Sequence, residues 1–441
     1  MKYHIITYGC QMNHSDSERI ASVLEDIGYQ PASNEKEADL IVVNACSVRQ
    51  SAIDRIWGLL PKFEKLKNKN KELKTVLTGC VLSADKKKFA KRLAPYGTQG
   101  SDMGFDLILD IKDLPKLSLK IRGNLNSKLA IKNYLEIKPR YQSQFSASVP
   151  IMTGCNNFCS FCVVPYTRGR EISRSVEDIL CEVRNLVERG YKEIWLLGQN
   201  VNSYNSEQKI RNNEQKINFP KLLKMVNNIP GNFWVRFTSS HPKDFSEELI
   251  STIAGCKKIT EYLNLPIQSG DDEILKKMNR PYTIEQYKNL VKKIRGEIPN
   301  ISLSTDVIVG FPGETEKQFK NTVRLFEEIK YDMAYIAKFS SRAGTAAAKL
   351  KDNIPRQEKE RRWNILASVL KKTALEKNQE YTGKIIDVLP EEIMGSFLVG
   401  KTRGYKTVRF KGPINLIGNF IKVKILEALP WGLKGELKNE A

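Results

Sequence analysis

From residue 149 onward, strand and helix patterns alternate six times along the chain. The predicted strands lie near residues 150–153, 194–197, 233–238, 262–266, 302–309 and 333–339. Neighbouring parallel strands need a crossover between them, and helices provide it, so the alternation predicts a parallel sheet. Six such units predict a partly closed (βα)6 barrel with its site at the carboxyl ends of the strands.

The first hundred residues repeat another unit: an apolar run, then a cysteine, then a helix-like segment. The runs at residues 3–7, 40–43 and 75–77 precede Cys10, Cys46 and Cys80. This pattern predicts a parallel α/β domain in which each cysteine lies just past the carboxyl end of its strand. Adjacent strands lie about 4.8 Å apart, so the three loops open onto one crevice and the cysteines can share one metal cluster.

Beyond a helical pattern at residues 356–378, five short apolar segments with Gly and Pro between them predict a small antiparallel β-barrel of the oligonucleotide-binding kind. Cations alternate with aromatic residues here, as binding of single-stranded RNA requires. The candidate RNA-binding residues are Arg403, Lys406, Arg409 and Lys422. The alternative, that the aromatic rings fill the barrel core and the cations are solvated, stays open.

A chain of 441 residues is too long for one ordinary core. The predicted domains are residues 1–118, a Lys-rich linker at 119–148, the barrel at 149–377 and the small β-barrel at 378–441. The 71 basic against 50 acidic residues give a net charge of +21, which favours a polyanion such as RNA. No apolar run is long enough to span a membrane, and the first residues do not resemble a signal peptide, so we expect a cytoplasmic protein. We also expect it to be a monomer.

Three further cysteines form a close triplet, Cys155, Cys159 and Cys162, with the spacing CxxxCxxC. In a reducing compartment, clustered cysteines indicate metal or redox chemistry. Three thiolates hold three irons of a four-iron cube and leave the fourth open to a small ligand. Zinc is the alternative, but a structural zinc site uses four ligands in closely spaced pairs, and no fourth ligand lies nearby in sequence. The triplet therefore predicts a catalytic iron–sulfur cluster.

The segment TGCNNFCSFC, residues 153–162, resembles the radical S-adenosylmethionine signature, with Phe161 as the aromatic residue before the last cysteine. In that superfamily the open iron chelates S-adenosylmethionine, and an electron from the cluster cleaves it to a 5′-deoxyadenosyl radical. The resemblance implies this role for the triplet. Glycines permit close approach, and amides and hydroxyls can bind the cofactor's polar groups. The candidate cofactor-binding residues are Phe161, Gln199, Asn200, Ser240, Gln268, Ser269 and Gly310.

Over nearly the whole chain the sequence is similar to the methylthiotransferases, in motifs such as GCQMN, NACSVR, LTGC, VVPYTRGREISR and DVIVGFPGET. The resemblance implies a second four-iron cluster on Cys10, Cys46 and Cys80, a C-terminal TRAM domain and tRNA, at its anticodon stem-loop, as partner. The motifs GCQMN and CVVPYTRG are most similar to the branch that acts on isopentenylated adenosine. They imply methylthiolation of carbon 2 of N6-(dimethylallyl)adenosine at position 37, with a flavodoxin or ferredoxin as electron donor.

Other functions stay open. Within the family, the substrate could be threonylcarbamoyladenosine in tRNA or an Asp side chain of a small-subunit ribosomal protein. From another class, the chain could be a non-catalytic iron–sulfur regulator that binds RNA, although a sensor has no need of an open iron in a barrel. The sequence departs from the family at Asn264, where His is expected, at Ala346, where Pro is expected, and in a duplicated polar loop at residues 205–217.

Several remaining residues have simple interpretations. Cys181 and Cys256 lie in helical, mostly apolar segments and are expected to be buried thiols. His4 and His14 are expected to be structural, the latter in a turn, whereas His241 follows a strand end and faces the predicted site. Arg168 and Arg170 follow the cysteine triplet and can pair with a carboxylate or a tRNA phosphate. The alternative for both arginines is a surface salt bridge.

Overall fold

The computed structural model describes residues 1–48, 50–90, 104–122, 133–210 and 213–438, without the side chains of residues 207–215. The chain divides into two compact units. The N-terminal unit comprises residues 1–142, 152–172 and 342–348, and the C-terminal unit comprises residues 143–151, 173–341 and 349–441. Arg49 of the NACSVR motif, residues 123–132 of the predicted linker and residues 211–212 of the duplicated loop lie outside the described residues.

A five-stranded parallel sheet forms the centre of the N-terminal unit, in the order β2-β1-β3-β4-β5. Its strands are β1 (Lys2–Tyr8), β2 (Gln30–Pro31), β3 (Leu40–Cys46), β4 (Lys74–Cys80) and β5 (Leu107–Ile108). The helices of this region are α1 (Gln11–Asp26), α2 (Gln50–Lys69), α3 (Ser83–Ala90) and α4 (Leu117–Arg122). The predicted parallel α/β architecture is confirmed.

Burial on both faces explains the parallel sheet. All seven residues of β3 are buried, as expected for a central strand covered by helices on both sides. On α2 the buried residues Ile53, Ile56 and Leu60 recur at helical spacing and pack in one apolar cluster with Ile41 and Val43 of β3. This packing holds the carboxyl ends of β1, β3 and β4 side by side at one edge of the sheet.

Ten strands follow before the C-terminal barrel: β6 (Ser146–Pro150), β7 (Met152–Thr153), β8 (Ile172–Ser173), β9 (Glu193–Leu197), β10 (Asn205–Ile210), β11 (Asn213–Asn218), β12 (Trp234–Phe237), β13 (Tyr262–Asn264), β14 (Ser302–Val309) and β15 (Met333–Lys338). The helices are α5 (Val164–Thr167), α6 (Val176–Glu188), α7 (Phe219–Asn227), α8 (Glu247–Gly255), α9 (Asp272–Lys277), α10 (Ile284–Glu297), α11 (Glu316–Ile329) and α12 (Arg356–Gln379).

In the C-terminal unit, six of these strands form two parallel three-stranded sheets, in the orders β6-β9-β12 and β13-β14-β15. Val235 of β12 accepts a hydrogen bond from Thr260 and donates one to Lys258, at the approach to β13, so the two sheets continue into each other. The predicted partial (βα)6 barrel is confirmed.

The first barrel strand is residues 146–150, and the predicted position at 150–153 is wrong. In β6 the half-exposed Ser146 and Ser148 alternate with the buried Ala147 and Val149. Two serines among its five residues weaken the apolar signal of this strand, and it begins inside the segment predicted to be a linker.

In the duplicated segment, β10 and β11 pair antiparallel, with Asn205 opposite Asn218 and Ile210 opposite Asn213. Each copy of the repeat supplies one strand, because two similar polar segments with the same extended preference can pair with each other. The pair is an addition to the chain after β9.

The last five strands close into a barrel in the order β16-β17-β18-β20-β19. They are β16 (Ile385–Met394), β17 (Phe397–Thr402), β18 (Thr407–Phe410), β19 (Ile421–Leu429) and β20 (Gly432–Leu437). The β18–β20 pair is parallel, so the expectation of a wholly antiparallel barrel is wrong there. Directions cannot alternate all the way around a closed ring of five strands, so at least one pair must be parallel.

No helix among the described residues is both long and apolar enough to cross a membrane.

Candidate active site and nucleic-acid surface

Three neighbouring strands bring Cys10, Cys46 and Cys80 to one edge of the N-terminal sheet. Cys46 and Cys80 are the last residues of β3 and β4 and lie opposite each other in the strand pairing. Tyr8 at the end of β1 pairs with Ala45, and Cys10 then caps the N-terminus of α1. Two of the three cysteines thus end their strands instead of following them, and the structure brings the triplet together.

A buried polar network lies behind this triplet. The Oδ1 atom of Asn13 accepts a hydrogen bond from the Cys10 amide at 3.2 Å, and its Nδ2 atom donates to Asn44 Oδ1 at 3.3 Å. Asn44 in turn donates to the Asn13 carbonyl oxygen at 2.7 Å and to Ser17 Oγ at 2.9 Å. The asparagines of the GCQMN and NAC motifs therefore fix the first turn of α1 against the end of β3.

Arg168 also reaches this triplet. Its guanidinium Nε donates to Cys80 Sγ at 2.9 Å, and its Nη2 forms an ion pair with Asp16 Oδ2 at 2.5 Å. The Asp16 carboxylate accepts a further hydrogen bond from the Tyr134 hydroxyl. Of the two partners expected for Arg168, a carboxylate or a phosphate, the structure provides the carboxylate.

The buried thiols of this triplet do not ionise alike. A hydrogen bond from Cys46, together with the positive charge of Arg168, lowers the pKa of Cys80 to about 7. The same hydrogen bond and burial raise the pKa of Cys46 well above its ordinary value. Metals bind the thiolate form of cysteine, so Cys80 is the member of the pair that ionises first.

Local backbone geometry shapes the loop that carries Cys155, Cys159 and Cys162. Gly154 has a φ of +82°, and a Cβ atom there would lie 2.0 Å from the Arg170 carbonyl oxygen. The Cys155 amide donates to the Gly169 carbonyl at 3.1 Å, and the Cys162 amide donates to the Cys159 carbonyl at 2.9 Å. A tight backbone turn therefore holds the triplet, and the exposed Arg170 stacks on Phe158 with its Cζ atom 4.3 Å from the ring centre.

Each triplet offers three thiols, the number that a four-iron cube with one open iron requires. Among the residues the structure describes, no three His, Cys, Asp or Glu side chains converge as the ligands of one metal ion would. In a cube each of the three sulfurs binds a different iron, so the sulfurs need not meet at one point. Both triplets supply the three thiols that such a cluster requires.

Polar side chains with unused hydrogen-bonding groups follow the barrel strands in the C-terminal unit. Asn200 lies three residues after β9 and donates to Asp244 Oδ2 at 2.7 Å, while its Oδ1 atom is buried. Within the described parts of the chain, Asn200 Oδ1, Ser240 Oγ and Ser269 Oγ have no hydrogen-bond partner. Buried polar groups are normally satisfied, so unsatisfied ones at strand ends indicate a ligand site.

His241 belongs to the same set of strand-end residues. It caps the short 3-10 helix Pro242–Asp244, and its Nδ1 atom accepts from the Lys243 amide at 3.3 Å. Burial lowers the pKa of His241 to about 2, so the imidazole is neutral and carries its proton on Nε2. That Nε2 donor is buried and has no partner among the described residues.

The other candidate cofactor residues differ in their surroundings. Gln199 and Gln268 are half-buried, and Gln268 has a positive φ of 71° beside Asp306 of β14. Phe161 is half-buried within the cysteine loop. Gly310 donates its amide to Glu314 at 2.7 Å, and a Cβ atom there would lie 2.4 Å from the Lys359 side chain. Internal packing explains the glycine at 310 without a ligand.

Two of the four candidate RNA-binding cations are used inside the C-terminal unit. Lys406 is buried and forms an ion pair with Asp332 at 2.6 Å, just before β15. Arg403 forms an ion pair with Glu261 at 2.8 Å and donates to the Ile259 carbonyl at 2.8 Å. The turn between β17 and β18 therefore docks onto the amino-terminal end of the parallel barrel, and these two cations have partners there.

The same turn accepts hydrogen bonds from the barrel. Arg236 of β12 donates to the carbonyl oxygens of Thr402 and Arg403 at 2.7 and 2.6 Å. Tyr405 packs against Trp195 and Tyr262, with ring centres 5.1 and 4.7 Å away. The two barrels are therefore joined by buried charge and aromatic packing.

Arg409 and Lys422 lie on the outside of the small barrel. Arg409 is exposed and stacks over Phe397, with its Cζ atom 4.6 Å from the ring centre. Lys422 is 57% exposed and forms a surface ion pair with Asp387 at 3.0 Å. A surface ion pair of this kind is weak, so Lys422 can exchange it for a phosphate. The exposed Arg409 is accessible to a phosphate as well.

Two expectations for single residues need correction. Cys181 is exposed, because it lies on the outer face of α6 and not among its buried residues, whereas Cys256 is buried as expected. His14 lies in the first turn of helix α1 and not in a loop turn. Sequence reasoning singled out Arg168 but missed Asn13 and Asn44, although their places inside the GCQMN and NAC motifs were the available signal.

The chain matches the Radical SAM superfamily over residues 149–326, the uncharacterized protein family UPF0004 over residues 2–96 and the TRAM domain over residues 379–438. A radical S-adenosylmethionine methyltransferase from Kitasatospora setae has a similar fold, with a TM-score of 0.52 and 15% identity. That likeness covers 79% of this chain and 77% of the other.

Relatives at higher identity carry the name tRNA-2-methylthio-N(6)-dimethylallyladenosine synthase. The protein of Clostridium novyi is 41% identical over 447 residues, covering 99% of this chain and 96% of the relative. That of Clostridium botulinum strain Hall is 43% identical over 445 residues, with coverage of 99% and 96%. That of Thermoanaerobacter pseudethanolicus is 42% identical over 449 residues, with coverage of 99% and 92%. Because identity of this degree runs end to end, the chain belongs to the tRNA-2-methylthio-N(6)-dimethylallyladenosine synthase family of the radical S-adenosylmethionine superfamily.

Proposed function

We propose that this protein is a transferase that attaches a methylthio group to carbon 2 of N6-(dimethylallyl)adenosine at position 37 of tRNA. The observation that carries the proposal is the pair of cysteine triplets, one at a sheet edge and one in a tight loop, within a chain that matches its relatives end to end. Insertion of sulfur into a carbon–hydrogen bond needs both removal of the hydrogen and a sulfur donor. Amino acid side chains cannot supply these steps, whereas two separate clusters can.

Cys155, Cys159 and Cys162 would hold the radical cluster with one iron open, and Cys10, Cys46 and Cys80 would hold an auxiliary cluster. When bound, these clusters and S-adenosylmethionine supply the electron transfer, hydrogen removal and sulfur donation that amino acid side chains lack. The residues of this chain would bind and orient those groups.

The unsatisfied strand-end groups support a cofactor site. Asn200 Oδ1 offers an acceptor, Ser240 and Ser269 offer hydroxyls, and His241 Nε2 offers a donor. This mixture suits the amino, carboxylate and ribose groups of S-adenosylmethionine. Gln199 and Gln268 stay candidates for contacts with the same ligand, and Phe161, in the N-terminal unit, stays a candidate by its motif alone. Firm orientation is needed because a radical must meet one hydrogen at near-contact distance.

For RNA binding, the proposal now rests on Arg409 and Lys422, each on the outside of the small barrel. Arg409 beside Phe397 combines a cation with an aromatic face, the combination that suits a phosphate and a base. The net charge of +21 supports binding of a polyanion by the whole chain. We further propose a flavodoxin or ferredoxin as electron donor, a monomeric enzyme and a cytoplasmic location.

The deciding experiment presents the reconstituted enzyme with three anticodon stem-loops, which are prenylated, threonylcarbamoylated and unmodified. We expect a methylthio adduct, detected by mass spectrometry, mainly on the prenylated RNA. The prenyl group buries apolar surface at about 25 cal/mol per Å² and so anchors the base. Preferred reaction of the threonylcarbamoylated RNA would reassign the substrate, and reaction only with a ribosomal protein would remove RNA as the substrate.

A further inference from the structure

Arg168 is the residue that physically joins the two cysteine triplets within the N-terminal unit. It ends the short helix α5, six residues after Cys162, and its side chain reaches Cys80 of the other triplet, with Nε 2.9 Å from Sγ. Its side chain is 2% exposed and that of its partner Asp16 is 0% exposed. Few arginines in proteins are buried to this degree, and burial of a guanidinium needs several aligned partners.

The backbone beside Arg168 is tied to the first triplet. The carbonyl oxygen of Gly169 accepts a hydrogen bond from the Cys155 amide at 3.1 Å, and the Arg168 amide donates to Val164 at 2.8 Å. One short segment is therefore bonded through its backbone to Cys155 and through its side chain to Cys80.

The guanidinium of Arg168 is oriented for a hydrogen bond to sulfur as well as for an ion pair. Pairing with Asp16 uses the Nη atoms of Arg168, at 2.5 and 3.4 Å, and leaves Nε free to point at the sulfur. The Tyr134 hydroxyl donates to Asp16 from the other side and so fixes the carboxylate. Asp16 is thus held in place by two donors, and it orients the guanidinium so that one N–H faces Cys80.

A hydrogen bond and a positive charge at a ligand sulfur stabilise the more negative, reduced form of an iron–sulfur cluster. We propose that Arg168 is a positioning residue that raises the reduction potential of the auxiliary cluster and fixes its ligand Cys80 relative to the radical-cluster loop. The inference rests on the proposed function, because it requires a cluster on Cys10, Cys46 and Cys80. It adds the residue by which the loop of one cluster adjusts the electronic properties of the other.

The test removes the radical cluster first, so that one cluster is measured. In a Cys155→Ala, Cys159→Ala, Cys162→Ala background, iron content of about four per chain establishes the auxiliary cluster independently of Arg168. The midpoint potential of that cluster is then measured by redox titration followed by electron paramagnetic resonance. We expect Arg168→Met to shift the potential to more negative values, and Arg168→Lys, which keeps the charge but not the Nε donor, to shift it less.

Two further variants separate an electrostatic role from a purely structural one. Asp16→Asn removes a negative charge from the same network, while the amide oxygen can still accept from the guanidinium and orient it, so the potential should move in the opposite, more positive direction. Arg170→Met, two residues from Arg168 but exposed, should leave the potential unchanged and serves as the matched control.

Unchanged potentials in folded Arg168→Met and Arg168→Lys proteins that retain their irons would overturn the inference while leaving the auxiliary cluster intact. If the Arg168 variants lose their irons, Asp16→Asn decides: no rise in its potential would equally overturn the inference. Absence of iron from the background protein itself would instead contradict the proposed function.

Discussion

The two cysteine triplets offer the same three thiols but are assembled in opposite ways. Cys155, Cys159 and Cys162 lie within eight residues of each other, in a loop closed by its own backbone hydrogen bonds. Cys10, Cys46 and Cys80 are spread over seventy-one residues and meet because β1, β3 and β4 are neighbours in one sheet. The first triplet needs a correct turn, whereas the second needs a correct fold.

The difference extends to what surrounds the sulfurs. The loop triplet is stabilised by main-chain hydrogen bonds and by Gly154. This glycine has a positive φ, and the Arg170 carbonyl oxygen leaves no room for a Cβ atom there. The sheet triplet is backed by Asn13, Asn44 and Arg168, whose side chains come from three separate segments. A site assembled from distant segments depends on buried polar side chains to hold its register, and such networks cost much when one member is lost.

The largest expected effect separates the two triplets outright. Changing Cys155, Cys159 and Cys162 to Ala should abolish cleavage of S-adenosylmethionine and reduce the iron content from about eight to about four per chain. Iron analysis and a cleavage assay on anaerobically reconstituted protein measure both. If the variant folds but loses all its iron, the two cluster sites are not independent, which would contradict the contrast between a local and a fold-dependent site.

The sheet triplet should be lost when the register of its strands is disturbed. Gly79 has a φ of +108°, and a Cβ atom there would lie 2.2 Å from the Ala45 carbonyl oxygen. We expect Gly79→Ala to lower the free energy of unfolding by about 3 kcal/mol and to remove the auxiliary irons, while the loop triplet keeps its own. Urea unfolding and iron content are the measurements.

The matched control for that variant is Gly58→Ala. Gly58 is exposed in helix α2, and a Cβ atom there meets nothing within 4 Å. Alanine should therefore raise stability by about 0.5–1 kcal/mol. Equal destabilisation by both substitutions would show that the strand register has no special role.

The small β-barrel repeats the contrast between a local pattern and a tertiary contact. Lys406→Ala breaks the buried pair with Asp332, so we expect a loss of about 3 kcal/mol in the urea unfolding of the full chain. Lys424→Ala, at an exposed pair 3.9 Å long with Glu436, should change stability by less than about 0.5 kcal/mol. Similar losses for both would mean that Lys406 is not a docking residue.

The smallest effect concerns RNA. Arg409→Gln combined with Lys422→Gln should weaken tRNA binding and reduce the slope of log affinity against log salt by about 1 to 2, because two phosphate contacts are lost. Binding measured at several salt concentrations tests this. Lys221→Gln, on helix α7, is the exposed control and should keep the slope. A slope left intact by the double variant would assign the phosphate contacts to another surface.

Point substitutions are the right tool for the small barrel. Deleting it would remove the carbonyl acceptors of Thr402 and Arg403 and leave the buried Arg236 with fewer partners. The Glu193 carboxylate, which pairs with Arg236 at 2.5 Å, would remain. A deletion would therefore confuse RNA binding with the stability of the parallel barrel, whereas Arg409 and Lys422 lie away from that contact.

The order of strands and helices was predictable because periodicity and apolar runs are local signals. Strands β9, β12, β13, β14 and β15 lie at the predicted positions. Strand β6 was misplaced, since two serines among its five residues weaken its apolar signal. Among the candidate ligands, Asn200, Ser240 and Ser269 have the buried, unsatisfied groups that a bound cofactor would use, but Gly310 is explained by packing against Lys359.

The sequence by itself determined the fold class, the two cysteine triplets and the family, because these depend on residue type, spacing and motif order. The tertiary structure alone decided which cations face solvent, since Lys406 and Arg409 stand three residues apart in one basic segment, yet one pairs with Asp332 and the other is exposed. It also decided that Arg168 donates to Cys80. Burial and hydrogen bonding depend on segments far away in sequence, so no local pattern could have assigned these partners.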